Sequence, residues 1–206
     1  MSGTPRKPLF TTRSIATMGM LAALSSALFF LEIPIVPGMY NLDFSNLPVM
    51  LGAFSLGPVP GLIILLIKNL VHLFIKGLGS TGGVGNVADF IMGAVFMLPA
   101  ALPYRRYKTL MAAVRGMVIG IALVTVVSVF VNKWIMFPFF TVVKGYPMAA
   151  IIGLVTKVFP FANTEWKVLI LVTAPFNLVK GILIMAITRL IYKPLSPVLK
   201  GTQTIH

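Results

Sequence analysis

Long apolar stretches, broken by short polar or proline- and glycine-rich segments, run through the whole chain and predict a series of membrane-crossing helices. The first runs from about Ser14 to Ile33, where Pro34 and Pro37 end it and open a loop through Asp43. The second starts near Ser45-Asn46-Leu47-Pro48 and stops at Gly57-Pro58; at about 12 residues it is short for a ~30 Å hydrocarbon core. Pro58-Val59-Pro60-Gly61 reads as a tight turn. The third covers Leu62 to Ile75, and a glycine-rich connection from Gly77 to Gly85 leads to a fourth from Val87 to Leu102. After the polar break Tyr104-Arg105-Arg106-Tyr107-Lys108, the fifth runs from Leu110 to Phe137. Pro138 to Trp166 reads as a mixed loop, with a short interfacial helix over Met148 to Val158 as a lid. The sixth extends from Val168 to Ile191, and Lys193-Pro194 ends it. The expectation is an all-α membrane protein with six transmembrane helices in one integral membrane domain, residues 1–206.

Composition agrees: 58% of residues are hydrophobic and only 10% charged, against about a quarter charged in soluble domains. The net charge of +13 would suggest nucleic acid in a soluble protein. Here the basic residues lie largely outside the apolar runs, so topology accounts for them and no nucleic-acid partner is expected. With six crossings, Arg6, Lys7, Arg13, Arg105, Arg106, Lys108, Arg115, Arg189, Lys193 and Lys200 share one side. Lys76, Lys144, Lys157 and Lys167 lie on the other, with Lys133 if the fifth helix ends early. That bias places both termini, residues 1–13 and 193–206, in the cytoplasm. Arg6, Lys7 and Arg13 before an apolar run look like the start of a signal peptide. The run meets Glu32-Ile33-Pro34 rather than a small-residue cleavage site, which predicts an uncleaved first helix. No internal repeat is visible, which argues against an inverted-repeat carrier.

Catalytic equipment is absent from the pattern. The glycine-rich loop lacks a GK[ST] ending, four carboxylates are scattered without paired spacing, and no serine sits in a nucleophile elbow. There is no cysteine, and two histidines, His72 and His206, argue against a metal centre. Binding or transport is favoured over catalysis.

The polar residues within the apolar runs are Lys68, Asn69, His72, Asp89, Asn132, Lys133, Asn177 and Lys180. Lys180 lies about 16 Å from either end of its run at ~1.5 Å per residue, too far for its stem to reach the interface. Such residues face a cavity or mark a ligand path; the alternative is a structural lysine paired with a carboxylate. Asn177 shares its helix face. Asparagine offers donor and acceptor and lysine donors alone, a set that suits a neutral, flat ligand with carbonyls and imide nitrogens. For Asn132 and Asn177 the alternative is interhelical hydrogen bonding. Gly19, Ala23 and Ala27 recur every four residues along the first helix, with Ala22 and Ser26 beside them. That stripe suits close approach of another helix, inside the bundle or from a partner.

Asn41-Leu42-Asp43-Phe44-Ser45-Asn46-Leu47-Pro48 followed by Phe54-Ser55-Leu56-Gly57-Pro58-Val59-Pro60-Gly61 resembles the riboflavin-specific S components of energy-coupling factor (ECF) transporters. So do Leu66-Ile67-Lys68-Asn69-Leu70-Val71-His72 and Val84-Gly85-Asn86-Val87-Ala88-Asp89-Phe90. The similarity runs from Phe10-Thr11 to the sixth helix. Asp89 departs from it, where asparagine is expected; an ionised Asp89 would pair with Lys68 and serve structure.

The resemblance implies a subunit of a prokaryotic plasma membrane that captures riboflavin at the outer face, with no cofactor of its own. It implies partnership with a transmembrane coupling protein and two cytoplasmic ATPases, and a toppling of the S component that carries the ligand inward. By the resemblance, Asn132, Asn177 and Lys180 meet the flavin. Ala23 and Ala27, extended to Gly19, meet the coupling protein. Asn41, Asp43 and Ser45 in the first outer loop meet the ribityl hydroxyls or shape the lid. Alternatives are an S component for another vitamin or nucleobase-like solute, and a stand-alone ion-coupled carrier.

Overall fold

The computed structural model describes residues 11–77 and 81–200, the last eight as helical backbone. The expected cytoplasmic segments 1–13 and 193–206 therefore fall largely outside the described side chains.

Helix α1 spans Thr12–Phe30 and starts at a capping box: Thr11 accepts from the Ser14 amide, and Ser14 reciprocates to the Thr11 amide. Met18, Leu21, Ala22, Ser25, Ser26 and Phe29 turn inward, whereas Gly19, Ala23 and Ala27 lie on the exposed face. The small-residue stripe is thus divided between an inner and an outer face.

The expected loop after α1 is a hairpin, which corrects an all-helical reading. Strand β1 (Ile33–Val36) pairs antiparallel with β2 (Tyr40–Leu42), Ile33 opposite Leu42 and Pro34 opposite Asn41. Pro37-Gly38 supplies the turn, with Gly38 at φ 79°. β-Branched residues on the Pro37 side favour the extended backbone.

Helix α2 (Asn46–Leu56) is buried from Asn46 to Phe54, as expected of a helix apolar all round. Its 11 residues rise only about 16 Å. Among the described residues five helices are long and apolar enough to cross a membrane, and α2 is a shorter apolar helix beside them. Helix α3 (Pro58–Lys76) starts at Pro58. The turn before it is made by Gly57 at φ 114°, so Pro58 to Gly61 is not a turn but the first turn of α3, where proline fits because its missing N–H would be unbonded anyway.

Helix α4 (Val84–Tyr107) continues through Pro99, Pro103 and the expected polar break, ending at Lys108 with φ 52°. Helix α5 (Leu110–Val131) continues past Phe137 through π-helical turns at Asn132–Met136 and Phe139–Val143. Pro138 therefore does not end this helix: it sits between two widened turns where the hydrogen-bond ladder is already shifted. The short helix in the following segment, α6, is Met148–Thr156. Helix α7 (Glu165–Val168) passes through a π turn, Leu169–Thr173, into α8 (Ala174–Lys200). Lys193-Pro194 does not end α8; a proline removes one ladder bond, which membrane helices tolerate.

Two cores result. One surrounds α2 and includes Met50, Ile64, Leu65, Met97, Met117, Ile121 and Ile184. The other, at the hairpin end, includes Val36, Tyr40, Phe137, Phe140, Val155 and Leu169. Helices α4 and α5 touch closely at glycines: a Cβ on Gly116 would lie 2.4 Å from the Pro99 carbonyl oxygen, and one on Gly120 would lie 2.3 Å from that of Phe96.

Candidate functional site

Where the two cores meet, a cavity of about 210 Å³ opens under the hairpin. The ends of α1 and α3, the start of α4, the π turn after α5 and the first turns of α8 complete its walls. Asn41, Asp43, Asn132, Asn177 and Lys180 all line it, together with His72, Asn86 and Asp89. Residues separated by more than a hundred positions are brought together because the hairpin folds back over the bundle mouth.

Ser45 does not line the cavity. It lies fully buried behind Asp43, donating its amide (2.9 Å) and its hydroxyl to one carboxylate oxygen. The other oxygen accepts from Lys180 Nζ at 2.6 Å. Burial alone would raise the Asp43 carboxyl, but the ammonium groups of Lys180 and Lys68, helped by these hydrogen bonds, outweigh it and hold it at about 2.

The two buried lysines differ in remaining capacity. Lys68 is fully buried and donates to Ser45 Oγ (3.0 Å), Asn46 Oδ1 (3.0 Å) and Asp89 Oδ2 (2.7 Å). An ammonium has three protons, so Lys68 is saturated. Lys180 engages Asp43 and faces the cavity, leaving donors for a ligand. The expected Lys68–Asp89 pair is present, and Asn69 Nδ2 also donates to Asp89, at 3.0 Å.

Asn132 and Asn177 each donate one amide proton to the carbonyl four residues back, Ser128 (2.8 Å) and Thr173 (2.9 Å). This fixes their orientation and directs acceptor oxygens away from their own helices. His72 Nδ1 donates to Asn86 Oδ1 at 2.8 Å, and its ring stacks on Phe29 with centroids 4.0 Å apart. That tautomer makes Nε2 an acceptor. His72 Nε2 and Asn41 Oδ1 are buried with no hydrogen-bond partner among the described residues. An unmet buried acceptor costs about 1–3 kcal/mol, so both favour a ligand that brings donors.

Tyr40, which no sequence pattern marks, also lines the cavity. Its hydroxyl shares a 2.5 Å hydrogen bond with Thr173 Oγ1, tying the hairpin to the π turn before α8. Burial raises the Tyr40 hydroxyl to about 12, against the opposing effect of that bond. Nothing in the local pattern marks it, because its partner is 133 positions away. Trp134 and Trp166 are both more than half exposed and stand outside the cavity lining.

Beyond Met39, which belongs to both walls, lies a larger apolar groove of about 570 Å³ between the hairpin tip, the end of α5 and α6. The hydrogen-bonding groups are concentrated in the smaller cavity, which falls below the ~300 Å³ of typical small-molecule sites.

Residues 13–192 match the family described as ECF transporter, substrate-specific component. The chain is 30% identical over 203 residues to the riboflavin transporter RibU of Staphylococcus aureus (strain TCH60), covering 97% of this chain and 99% of that protein. It is 26% identical to the riboflavin transporter FmnP of Bacillus subtilis (strain 168), over 94% of this chain and 97% of the relative. A solved structure of the S component of a bacterial ECF transporter superposes with a TM-score of 0.67 at 28% identity. It covers 91% of this chain and 98% of the other.

Proposed function

We propose that this chain, which belongs to the substrate-specific components of ECF transporters, is the subunit that captures riboflavin outside the cell and delivers it inward. Riboflavin is the solute named for its relatives. The chain is a transport component rather than an enzyme, and ATP hydrolysis belongs to partner subunits of the family. In this reading it crosses a prokaryotic plasma membrane six times, α2 being the short second crossing, with both termini in the cytoplasm. It works with a transmembrane coupling protein and two ATPases.

The observation that carries the proposal is the polar cavity with its oriented amides, one unsaturated lysine and two partnerless acceptors. An isoalloxazine ring presents two carbonyls, an imide N–H and acceptor ring nitrogens. Lys180 donates to a carbonyl or ring nitrogen, and Asn132 or Asn177 pairs with the imide edge. The ribityl hydroxyls meet Asn41 and Asp43, while Ser45 acts through Asp43 by holding its carboxylate in place. The dimethylbenzene end extends past Met39 into the apolar groove, because the smaller cavity is too small for the whole vitamin. The exposed Gly19–Ala23–Ala27 face of α1 meets the coupling protein.

A competition panel tests the ligand. Riboflavin bound to the purified chain should resist a hundredfold excess of thiamine, biotin or a nucleobase, since the site's polar groups would go unpaired with each. Displacement by one of them would move the assignment to that solute. Uptake by liposomes containing this chain alone, driven by an ion gradient, would instead identify a stand-alone carrier.

A further inference from the structure

The lining of the polar cavity falls into two unlike sets. The π turn after α5 and the first turns of α8 contribute Asn132, Asn177 and Lys180, groups that can give protons to a ligand. The ends of α1 and α3, the start of α4 and strand β2 contribute Phe29, His72, Asp89 and Asn41, and here the free atoms are all acceptors.

The His72 ring is held on several sides. It stacks on Phe29, with centroids 4.0 Å apart, and on Phe30, at 5.4 Å. Its Nδ1 donates to Asn86 Oδ1 at 2.8 Å. A ring fixed in this way cannot turn to find a partner for Nε2, which is buried and unbonded among the described residues. Asp89 accepts from Lys68 (2.7 Å) and Asn69 (3.0 Å), but both bonds fall on Oδ2. Its Oδ1 is left over. Asn41 Oδ1, on the hairpin, is a third acceptor without a partner among the described residues.

Three acceptors with no donor among them call for a solute rich in donors. A phosphate or carboxylate brings none, and neither does an alkyl group. A chain of hydroxyls brings one proton per oxygen, and each hydroxyl turns to suit its neighbour. A site that hydrogen-bonds a hydroxyl also rejects the analogue lacking it, because its own buried groups are then left unpaired. Resting on the riboflavin reading above, we propose that His72, Asp89 and Asn41 form a polyol subsite. His72 Nε2 accepts from a hydroxyl of the ligand's side chain. The ribityl chain, and not the flavin ring alone, then determines affinity.

Fluorescence titration of the stripped, detergent-purified full chain with two flavins tests this. Lumiflavin carries the ring of riboflavin with a methyl group in place of the ribityl chain. Wild type should bind riboflavin more tightly than lumiflavin. H72F keeps an aromatic ring against Phe29 and Phe30 and removes the acceptor. It should weaken riboflavin roughly three- to tenfold, the range for one lost hydrogen bond between neutral groups, and leave lumiflavin unchanged. H72Q, which restores an acceptor at the end of the side chain, should recover part of the loss. Equal weakening of both flavins would make His72 a structural residue, and unchanged riboflavin affinity would remove it from the site; either overturns the proposal. Should circular dichroism show H72F unfolded, N41A carries the test under the same criteria, since Asn41 Oδ1 serves no other group among the described residues. Lumiflavin held by wild type as tightly as riboflavin would overturn this inference alone. Failure of wild type to bind either flavin would overturn the riboflavin reading itself.

Discussion

Lys68 and Lys180 are both lysines inside apolar helices, yet only one retains hydrogen-bonding capacity toward the cavity. Lys68 meets three oxygens, so K68A should act on stability. It leaves Asp89 uncompensated, a change of the kind that costs about 3–5 kcal/mol when a buried pair is broken. K180A should weaken riboflavin binding by more than ~1.5 kcal/mol, the scale of a charge-assisted hydrogen bond. Calorimetric titration and thermal melts of both variants separate the roles; unchanged affinity in K180A would remove Lys180 from the site. Acid stability reports on Asp43. Its folded value of about 2 lies below the ordinary 3.8, so its ionised form contributes stability that is present above pH 4. That contribution is lost as pH falls from about 4 toward 2. Melts in detergent should show this drop in wild type and a shallower one in D43N; equal acid slopes would contradict the Lys180–Asp43 link. From sequence, Lys180, Asn177 and Asn132 stood out because polar groups are costly at that depth. Tyr40 and the saturation of Lys68 were not legible, since both depend on partners distant in the chain.

At the scale of elements, α4 and α5 are held at backbone contact by Gly116 and Gly120. G120V places carbon atoms against the Phe96 carbonyl and should destabilise by about 1–3 kcal/mol, the usual cost of overpacking, lowering the melting temperature of the purified chain. An unchanged melt would mean that the two helices can separate without penalty. A small-residue stripe on α1 was visible from sequence, but which face it used was not. Gly19, Ala23 and Ala27 turn outward, so A23W should leave riboflavin binding by the isolated chain intact and abolish ATP-driven uptake when the partners are present. Loss of binding in A23W would instead place that face inside the fold. Helix positions follow from apolar run lengths, whereas several prolines that read as turns or stops lie within helices. Pro58 begins a helix, Pro138 lies between π turns, and Pro194 lies within α8. Local propensity gives way to the demand that backbone groups be bonded in lipid. The hairpin is not legible in the sequence because its strands are only four and three residues long, too short for alternation to register.

The whole molecule is polarised along the bundle axis. The four carboxylates pair with lysines, three of them lining the cavity, while Arg13, Arg105 and Lys108 gather at the other end. The central claim is that this chain alone is a complete riboflavin-binding unit. The most direct test is titration of the stripped, detergent-purified chain with riboflavin, followed by flavin fluorescence. Quenching that saturates near one riboflavin per chain is the predicted result; no quenching by a chain that remains helical would contradict it.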